Sequence, residues 1–401
     1  MIVPDPAAAR WRLASLALAT LLPSLGSSIA NVALPTLAET THTTFAEVQW
    51  VVLAYLVTMT STLVFAGWAG DLMGHRRLLM LGLWLLTGAS ALGLVTPSLP
   101  LLVVSRAIQG VGAAVLVVAA LVLADELAPE RRGRALGLLG SMSALGTALG
   151  PSLGGALVAA FSFRGVFVAS AVLGLGVLLL AHSQLGPSRP AARPGRGARA
   201  YLGALIAPLR QPELRARLLA NAVVSALLMA TLVVGPFHLI KTFGLGTAPI
   251  GAVMTVGPVM AALLGMPSGL LVERHGPERA TLVGLLGIGL GAVGLAVAPP
   301  SWGIPGFVLP VVFITSSYAL FQAANGVGVM RLAGPAHRGG ASAALNLSRN
   351  LGLIGGASVF GALYASAGLQ TSFVVGAGLI GLALSALRAG APVVRPLSPI
   401  P

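Results

Sequence analysis

Few residues of this chain could do chemistry inside an apolar environment, and Arg106 is the most informative of them. It lies five residues from the start of an apolar stretch, 101–123. A charge within a membrane span costs about 2.5–3.5 kcal/mol on insertion scales, so it usually faces a cavity. Asn31 lies at a similar depth in the stretch 13–37, so the two side chains could meet. This placement points to ligand binding inside a cavity.

The sequence lacks the residues that covalent or metal chemistry would need. It contains no cysteine, and no nucleophile–base pair, metal-ligand cluster or phosphate-binding loop is recognisable. Gly289-x-Gly291-x-x-Gly294 matches a dinucleotide-binding pattern, but it lies inside an apolar stretch with no preceding strand. We therefore predict that the chain is not an enzyme and binds neither a metal nor a cofactor.

The composition predicts that most of the molecular surface faces lipid. Hydrophobic residues make up 56% of the chain and charged residues only 8%. Soluble domains carry about 25% charged residues. The net charge of +14 would suggest nucleic acid in a soluble protein. Here the basic residues lie in short segments between apolar stretches, so the predicted partner is the lipid bilayer and not nucleic acid.

Twelve apolar stretches are long enough to cross a membrane, which takes about 20 residues each. Basic residues are distributed very unevenly between the two sets of connecting segments, with 20 on the side of the termini and 2 on the other. Because positive residues stay inside, both termini are predicted to be cytoplasmic. The predicted spans are 13–37, 46–69, 78–96, 101–123, 135–160, 164–182, 218–240, 248–272, 280–298, 305–329, 341–364 and 371–387.

The stretch 183–217 differs from the other connections. It carries seven arginines and several prolines, with Glu213 as its only acid. We interpret it as a basic cytoplasmic linker, with a short helix near Tyr201–Leu209 lying on the membrane. The linker separates two six-helix halves, and a cytoplasmic tail follows the second half. The predicted domains are thus 1–182, 183–217, 218–387 and 388–401.

A signature recurs at half the chain length. Gly67-x-x-x-Asp71-x-x-Gly74 returns 202 residues later as Gly269-x-x-x-Glu273-x-x-Gly276. Arginine follows both copies, as Arg76 and Arg77 after the first and Arg279 after the second. Two related halves in a chain this apolar are a common transporter architecture.

Together these motifs resemble the major facilitator superfamily. The first copy of the repeat is similar to its loop 2–3 signature, and Arg106-Ala-Ile-Gln109-Gly110 to its fourth-helix motif in drug antiporters. Gly146-x3-Gly150-Pro151-x2-Gly154-Gly155 is similar to the fifth-helix motif of antiporters. Asn31-Val-Ala-Leu-Pro35 and residues 338–349 resemble the EmrB/QacA-type branch. Many of its members have fourteen spans, but the linker is too polar to hold two more, which indicates a twelve-span version.

The resemblance implies an all-α integral membrane protein of twelve helices in two pseudo-symmetric halves. It also implies a monomer in the bacterial cytoplasmic (inner) membrane. Helices 1, 4, 7 and 10 line the cavity in this family. The cavity candidates are therefore the polar residues Asn31, Arg106, Gln109, Asn221, Gln322 and Asn325, with apolar walls from Met229 and Phe237.

The family resemblance also assigns gating contacts. It places Asp71 against the start of helix 11, near Gly340, where free backbone amides attract an anion. By the repeat, Glu273 would do the same at the start of helix 5, near Ala135. Solvated loop acids are the alternative for both, and the two readings are equally favoured for Glu273. The glycine run around Pro151 suits a gate between closely packed helices, with ordinary helix packing as the alternative.

One departure from the family concerns protons. Many antiporters of this branch carry an acid five positions before the helix-1 asparagine, and here that position is Gly26. None of the ten acids lies deep in a predicted span, although intramembrane carboxylates are the usual proton carriers. Proton coupling is therefore left open, with His238, Glu39 and Glu47 as the remaining titratable candidates.

The leading functional hypothesis is a secondary transporter that exports a small, largely apolar compound by alternating access, in the manner of multidrug efflux antiporters. An uncoupled facilitator or metabolite carrier is the alternative within transport. A membrane receptor or scaffold that moves nothing ranks below both, because the soluble segments are small. The predicted partners are a small-molecule substrate and lipid, with protons undecided. The substrate, the direction of transport and the oligomeric state are not encoded in recognisable motifs.

Overall fold

The structure is a computed structural model that describes residues 6–96, 98–127, 132–186, 203, 210–298 and 300–390. The described residues are almost entirely helical, as the hydropathy pattern predicts. The long helices are α1 (Pro6–Thr41), α2 (Trp50–Met73), α3 (His75–Val95), α4 (Leu99–Leu127), α5 (Arg132–Phe161), α6 (Arg164–Gln184), α7 (Pro212–Phe243), α8 (Thr247–His275), α9 (Pro277–Val297), α10 (Gly303–Gly355) and α11 (Gly361–Gly390). A short helix (Phe45–Val48), a 3-10 turn (Pro300–Trp302) and a π-helical turn (Gly356–Phe360) complete them.

Within the described part of the chain, eleven helical segments are long and apolar enough to cross a membrane. The last of them, Gly340–Arg388, is 49 residues long. At 1.5 Å per residue this far exceeds a hydrocarbon core of about 30 Å. Gly368 interrupts it with a non-helical backbone (φ 77°, ψ −174°) and divides it into two stretches that are each long enough to cross. The break falls between the predicted eleventh and twelfth spans.

Two predicted boundaries are wrong. The chain stays helical through 330–340, where a connection between spans 10 and 11 was expected, because falling hydropathy marks the exit from the membrane and not the end of a helix. Helix α7 begins at Pro212 and not at 218, so Arg215 and Arg217 belong to a helix and not to the linker. The helix expected at Tyr201–Leu209 lies outside the described residues, apart from Gly203.

Helix packing repeats between the two halves of the chain. In the first half α1 packs on α5, α2 and α3 pack on α4, and α3 packs on α6. In the second half α8 and α9 pack on α10, α9 packs on α11, and α7 packs on both α10 and α11. Each half has its own apolar core, which includes Leu79 and Leu116 in the first half and Leu285 and Phe321 in the second. The structure therefore has the two-half all-α architecture that the repeat predicts.

The repeated signature also repeats as backbone geometry. Gly74 ends α2 with φ 86° and ψ 134°, and Gly276 ends α8 with φ 82° and ψ 154°. Each backbone N–H donates to the carbonyl four residues earlier, Gly70 at 2.8 Å and Val272 at 2.9 Å. Positive φ favours glycine, and here a single glycine joins each pair of helices. The glycine, and not the acid, is the element with a clear structural reason to recur.

The bundle has two ends, which we call the Thr44 face and the Gly74 face after the residues at the α1–α2 and α2–α3 connections. The basic-residue asymmetry predicts that the Gly74 face is cytoplasmic. Green fluorescent protein fused within 183–217 or after residue 390 should therefore fluoresce, and alkaline phosphatase there should be inactive. The same reporters inserted at His42 should give the opposite pair of signals. Phosphatase activity from the linker or the tail would overturn the orientation.

Candidate transport pathway and its seal

The two halves contact each other at the Thr44 face through an aromatic cluster. Phe45 begins the short helix that precedes α2. Its ring lies 4.5 Å from that of Phe237 in α7, at an edge-to-face angle of 80°, and 5.8 Å from that of Tyr364 in α11. A capping box fixes this short helix, since the Glu47 carboxylate accepts from the Thr44 N–H at 2.7 Å and the Thr44 hydroxyl accepts from the Glu47 N–H at 3.3 Å. Phe237, predicted as a cavity wall, takes part in this sealing contact and also lines a cavity of about 310 Å³ between the halves at the same face.

A hydrogen bond beside this cluster also joins the halves. Gln49 is only 5% exposed, and its Nε2 donates to the carbonyl oxygen of Ala357 at 2.8 Å. Ala357 lies in the π-helical turn Gly356–Phe360. A methyl group at Gly361 would collide with the Gln49 amide, so the glycine gives this side chain its space. We call the contact between Gln49 and Ala357 the latch.

Close backbone packing extends the seal along α5 and α8. A Cβ added at Gly155 would lie 2.6 Å from the Thr247 carbonyl oxygen, and one at Gly251 would lie 2.5 Å from that of Pro151. An apolar cluster also crosses the interface, with Ile29 and Ala33 from α1 packed with residues of α7. Met229 and Val233 are the α7 members of that cluster. Met229 is buried there and so forms part of the seal.

The rest of the glycine run has another role. Gly146, Gly150 and Gly154 press against the backbone or side chains of α1, within the first half. Only the end of the motif, Pro151 and Gly155, touches α8 across the interface. Nearer the Gly74 face, Gly137 and Gly140 of α5 and Gly265 and Gly269 of α8 have nothing within 4 Å of an added Cβ. The close contacts between α5 and α8 therefore lie towards the Thr44 face.

Arg106 is buried inside the first half and does not face an open cavity. Its Nε donates to the Val51 carbonyl at 3.1 Å and its Nη1 to the Gln109 Oε1 at 2.6 Å. Its guanidinium carbon lies 4.3 Å from the centre of the Tyr55 ring, a cation–π contact. Gln109 Nε2 donates in turn to the hydroxyl of Ser90 at 2.8 Å. The void beside Arg106 and Gln109 is only about 20 Å³, room for one water and not for a substrate.

The predicted meeting of Asn31 and Arg106 does not occur in this structure. Asn31 Nδ2 donates to the Ser27 carbonyl of its own helix at 3.3 Å. Asn31 Oδ1 and Arg106 Nη2 have no hydrogen-bond partner among the described residues, although both atoms are buried. Spacing along the two helices predicted a similar depth for these residues, but the direction in which each side chain points depends on helix rotation. Buried polar atoms of this kind usually take water or a ligand as partner.

The second half holds a matching set of buried polar side chains. Asn221 Nδ2 donates to the Leu345 carbonyl at 3.0 Å and to the Ser348 hydroxyl at 2.8 Å. Asn325 Nδ2 donates to the Arg217 carbonyl at 3.3 Å. Both asparagines are fully buried. Of the predicted polar candidates only Gln322, which donates to the Tyr318 hydroxyl at 2.8 Å, is partly exposed.

Arg217 is a largely buried charge. The sequence did not reveal it, because the residue was assigned to the linker 183–217 and not to a helix. Its side chain is 11% exposed, and its Nη2 lies 3.7 Å from the Glu278 carboxylate at the start of α9. Arg217, Asn221 and Ser225 follow one another at intervals of four on one face of α7. Arg217 Nη1, Asn221 Oδ1, Ser225 Oγ and Asn325 Oδ1 find no partner among the described residues. The spacing of Arg217, Asn221 and Ser225 at intervals of four residues is the sequence signal that could have identified this polar face of α7.

The gating residues lie at the Gly74 face. Asp71 Oδ1 lies 4.0 Å from His75 Nε2, and Arg76 Nε donates to the Leu185 carbonyl at 2.7 Å. Arg77 is exposed, and Glu273 is exposed without an ion pair or hydrogen bond to any described residue. The partners expected of Asp71 and Glu273, at 338–342 and 132–137, lie partly outside the described side chains. Both gating contacts therefore remain predictions.

Titratable groups are otherwise peripheral. The acids whose side chains are described lie at or next to helix ends: Glu39, Glu47, Asp71, Glu126, Glu213, Glu273 and Glu278. His238 Nδ1 lies 3.2 Å from the Thr242 hydroxyl near the end of α7. Among the described residues, no group of three His, Asp or Glu side chains could hold a metal ion.

Comparison with known proteins agrees with this architecture. Residues 16–357 match the family model described as Major Facilitator Superfamily. The chain belongs to the major facilitator superfamily. It is therefore a membrane transporter, built on the fold that its motifs predicted.

Two members of the superfamily are similar to most of this chain, at 25% and 28% sequence identity. A "multidrug resistance protein B homolog" of Mycobacterium tuberculosis (strain ATCC 25618 / H37Rv) is 28% identical over 374 residues, 80% of this chain and 68% of the relative. The riboflavin transporter RibZ of Clostridioides difficile (strain 630) is 25% identical over 388 residues, 85% of each chain.

Solved structures of the superfamily share the fold at low sequence identity. The D323A mutant of the nucleoside transporter NupG superimposes with a TM-score of 0.80 at 14% identity, covering 95% of this chain and 99% of that one. A bacterial homologue of the human lysosomal transporter Spinster, solved inward-facing and unoccupied, superimposes with a TM-score of 0.76 at 16% identity and covers 96% of each chain.

Proposed function

We propose that this major facilitator protein is a secondary transporter that exports a small, largely apolar compound by alternating access. The observation that carries the proposal is the seal that the described residues form at the Thr44 face. Phe45, Gln49 and Gly155 all join the halves at the Thr44 face, whereas glycines of α5 and α8 nearer the Gly74 face have open space beside them. With the Gly74 face in the cytoplasm, this is an inward-facing state. Rocking of the halves would then open the Thr44 face.

Export of a drug-like compound is supported by the relatives and by the motifs. The multidrug resistance protein B homolog is similar along most of this chain. The glycine run of α5 is the motif that resembles antiporters, and its Pro151–Gly155 end reaches the opposite half. In this proposal the compound enters from the cytoplasm and leaves at the Thr44 face.

The buried charges favour neutral or anionic cargo over cations. Arg106 lies within the first half and Arg217 within the second, and no described carboxylate lies deep in a span. A charge is poorly screened in low dielectric, so two buried arginines disfavour a cation between them. Glu278 offsets part of the charge of Arg217, and Arg106, which does not face an open cavity in this structure, acts on the cargo only through its field.

A second candidate is an uncoupled facilitator or metabolite carrier. The observation that favours it is Gly26, which has nothing within 4 Å of an added Cβ and which, by the family resemblance, stands where many antiporters of the branch carry an acid. The similarity to a riboflavin transporter shows that relatives of this kind include metabolite carriers.

Transport in inverted vesicles separates these functions. Purified protein is reconstituted with the Gly74 face outward and given neutral, anionic and cationic aromatic compounds, with and without an imposed pH gradient or membrane potential. Accumulation of neutral or anionic compounds above equilibrium supports export. Equilibration without accumulation under any gradient identifies a facilitator. If none of the compounds crosses the membrane, the proposal that this protein transports small, largely apolar compounds is wrong.

The response to protons should be weak. For a substrate that does not titrate, an imposed pH gradient should change uptake by less than about twofold, because none of the carboxylates that the structure describes lies deep enough in a span to carry a proton across. Arginine stays protonated at accessible pH, so Arg106 cannot replace it. Initial uptake rates in inverted vesicles, with an uncoupler as control, measure this. Strong gradient-driven uptake that survives in His238→Ala would contradict the prediction, and Glu39→Gln and Glu47→Gln would then locate the carrier.

A further inference from the structure

We propose that the second half binds a small aromatic anion in a cavity beside Lys241 at the Thr44 face. This goes beyond the proposed transport function. The cavity lies beside the seal and not on the path between the halves, and its occupancy can be measured without transport.

The cavity has the size of a ligand site. It measures about 380 Å³ and lies where the end of α7 meets the start of α10 and the break in α11. Ligand pockets usually measure about 300–1,000 Å³. Its rim includes Gly303, where the 3-10 turn joins the start of α10, and Gly368, which breaks α11; their φ values are 62° and 77°. The cavity therefore results from built-in breaks in the helices and not from loose packing along them.

One wall of the cavity consists of flat rings. The His238 ring stacks on that of Phe307, with centroids 5.9 Å apart and an interplanar angle of 29°. Phe243 meets the same histidine edge-to-face at 6.0 Å. Aromatic pairs in offset-stacked or edge-to-face geometry gain about 0.5–1.5 kcal/mol beyond what their buried area provides. This wall predicts an aromatic ring in the ligand.

The charge of the cavity predicts an anion. Lys241 is the only lysine of the chain, and it lines the cavity from the last turn of α7. The side chains of Tyr364 and Gln370 add further hydrogen-bonding groups, and none of the described lining residues is acidic. A lysine at a membrane interface often only extends its ammonium group to water. Snorkelling explains the cation, but it does not explain a cavity with an aromatic wall beside it.

An adjacent cavity shows why the anion is assigned to this one. A cavity of about 310 Å³ between the halves shares Lys241 and Tyr364, but Glu39 also lines it. The carboxylate of Glu39 offsets the ammonium group and repels a second anion. Of the two cavities, the larger is thus the one in which no described lining residue adds a negative charge beside Lys241.

The test measures binding of radiolabelled 1-naphthoate by equilibrium dialysis against the purified full chain in zwitterionic nanodiscs. We expect saturable binding that weakens about tenfold in Lys241→Gln, the size of one charge-assisted hydrogen bond, and changes by less than about threefold in Lys241→Arg. Arg164→Gln is the matched control. It removes one positive charge from the same face, but Arg164 lines a different cavity. Its affinity should equal that of the wild type.

Two competitors test separately whether the ligand must be an anion and whether it must be aromatic. Neutral 1-naphthamide and the non-aromatic anion cyclohexanecarboxylate should each displace naphthoate at least about fivefold less well than naphthoate itself. Equal affinity of the amide, or an equal loss of binding in Arg164→Gln, would overturn the proposal. Loss of naphthoate binding in nanodiscs that contain phosphatidylglycerol, if it persists at high salt that screens repulsion of the anion by the membrane surface, would assign the cavity to a lipid phosphate and overturn the proposal as well. Absence of saturable naphthoate binding to the wild-type protein would also overturn the proposal.

Discussion

Replacement of Gly251 by valine should slow transport at least about tenfold, while the same change at Gly265 should leave it near the wild-type rate. A Cβ at Gly251 would lie 2.5 Å from the Pro151 carbonyl oxygen and 2.9 Å from Gly155 Cα. These are backbone atoms that cannot rotate away, so α8 must move from α5 and the Thr44 face cannot close. Gly265 lies in the same helix with nothing within 4 Å of an added Cβ. The expected loss is at least about tenfold, since small residues at such contacts set how closely helices approach.

The mechanism of that loss can be tested separately from the rate. The chain contains no cysteine, so Ala33→Cys supplies a single thiol inside the seal, where Ala33 is 7% exposed. Labelling by an impermeant maleimide from the Thr44 face should rise in the Gly251→Val background and not in Gly265→Val. Thermal unfolding of both variants controls for misfolding. Full transport activity in a well-folded Gly251→Val protein would show that α5 and α8 need not touch during the cycle.

The second large effect is expected at the latch. Gln49→Leu keeps the size of the side chain but removes the donor to the Ala357 carbonyl. A buried group left without its partner costs about 1–3 kcal/mol, which is roughly a five- to hundredfold shift between two states. The shift should favour opening of the Thr44 face, because the bond exists only when that face is closed. Gly361→Ala should act more strongly, since its methyl group would take the place of the Gln49 amide.

Spin labels can report this equilibrium. Ala38→Cys and Ala365→Cys place labels on opposite halves around one cavity at the Thr44 face. Pulsed electron spin resonance should show a longer distance population that grows in Gln49→Leu and in Gly361→Ala. Gly355→Ala is the matched control, because it adds the same methyl group six residues away, where nothing lies within 4 Å. A Gln49→Leu distribution identical to the wild type would mean that the latch contributes nothing to closure.

Hydropathy and the repeat predicted most of the fold. Helices α1 to α9 were each predicted, because a run of about 20 apolar residues in a chain with so few charged residues indicates a membrane-spanning helix. The repeat of Gly74 and Gly276 located two matching helix junctions, and both adopt nearly the same positive φ. The continuous helix through 330–340 was missed, because hydropathy reports where the chain leaves lipid and carries no information on whether the backbone stays helical.

The candidate site was predicted less completely. Arg106 is conspicuous because a charge in an apolar stretch is rare, but its contacts with Val51 and Tyr55 depend on how α2 packs on α4. Gln49 gave no signal, because its acceptor is a backbone carbonyl about 300 residues away. Met229 and Phe237 were predicted as apolar walls of the cavity, and in this structure both contact residues of the first half. The conformation in which they touch the other half depends on the packing of the whole bundle, and the residues around Met229 and Phe237 in the sequence carry no signal of it.

The one-residue junctions at Gly74 and Gly276 also have a consequence for how this chain is made. Helix α2 ends at Met73 and α3 begins at His75, and α8 ends at His275 and α9 begins at Pro277. With one glycine between them, neither member of a pair can shift along its axis without moving the other. Each pair would thus enter the bilayer during synthesis as a preformed hairpin. Arg76 and Arg77 after the first turn, and Arg279 after the second, would hold that turn on the ribosome side.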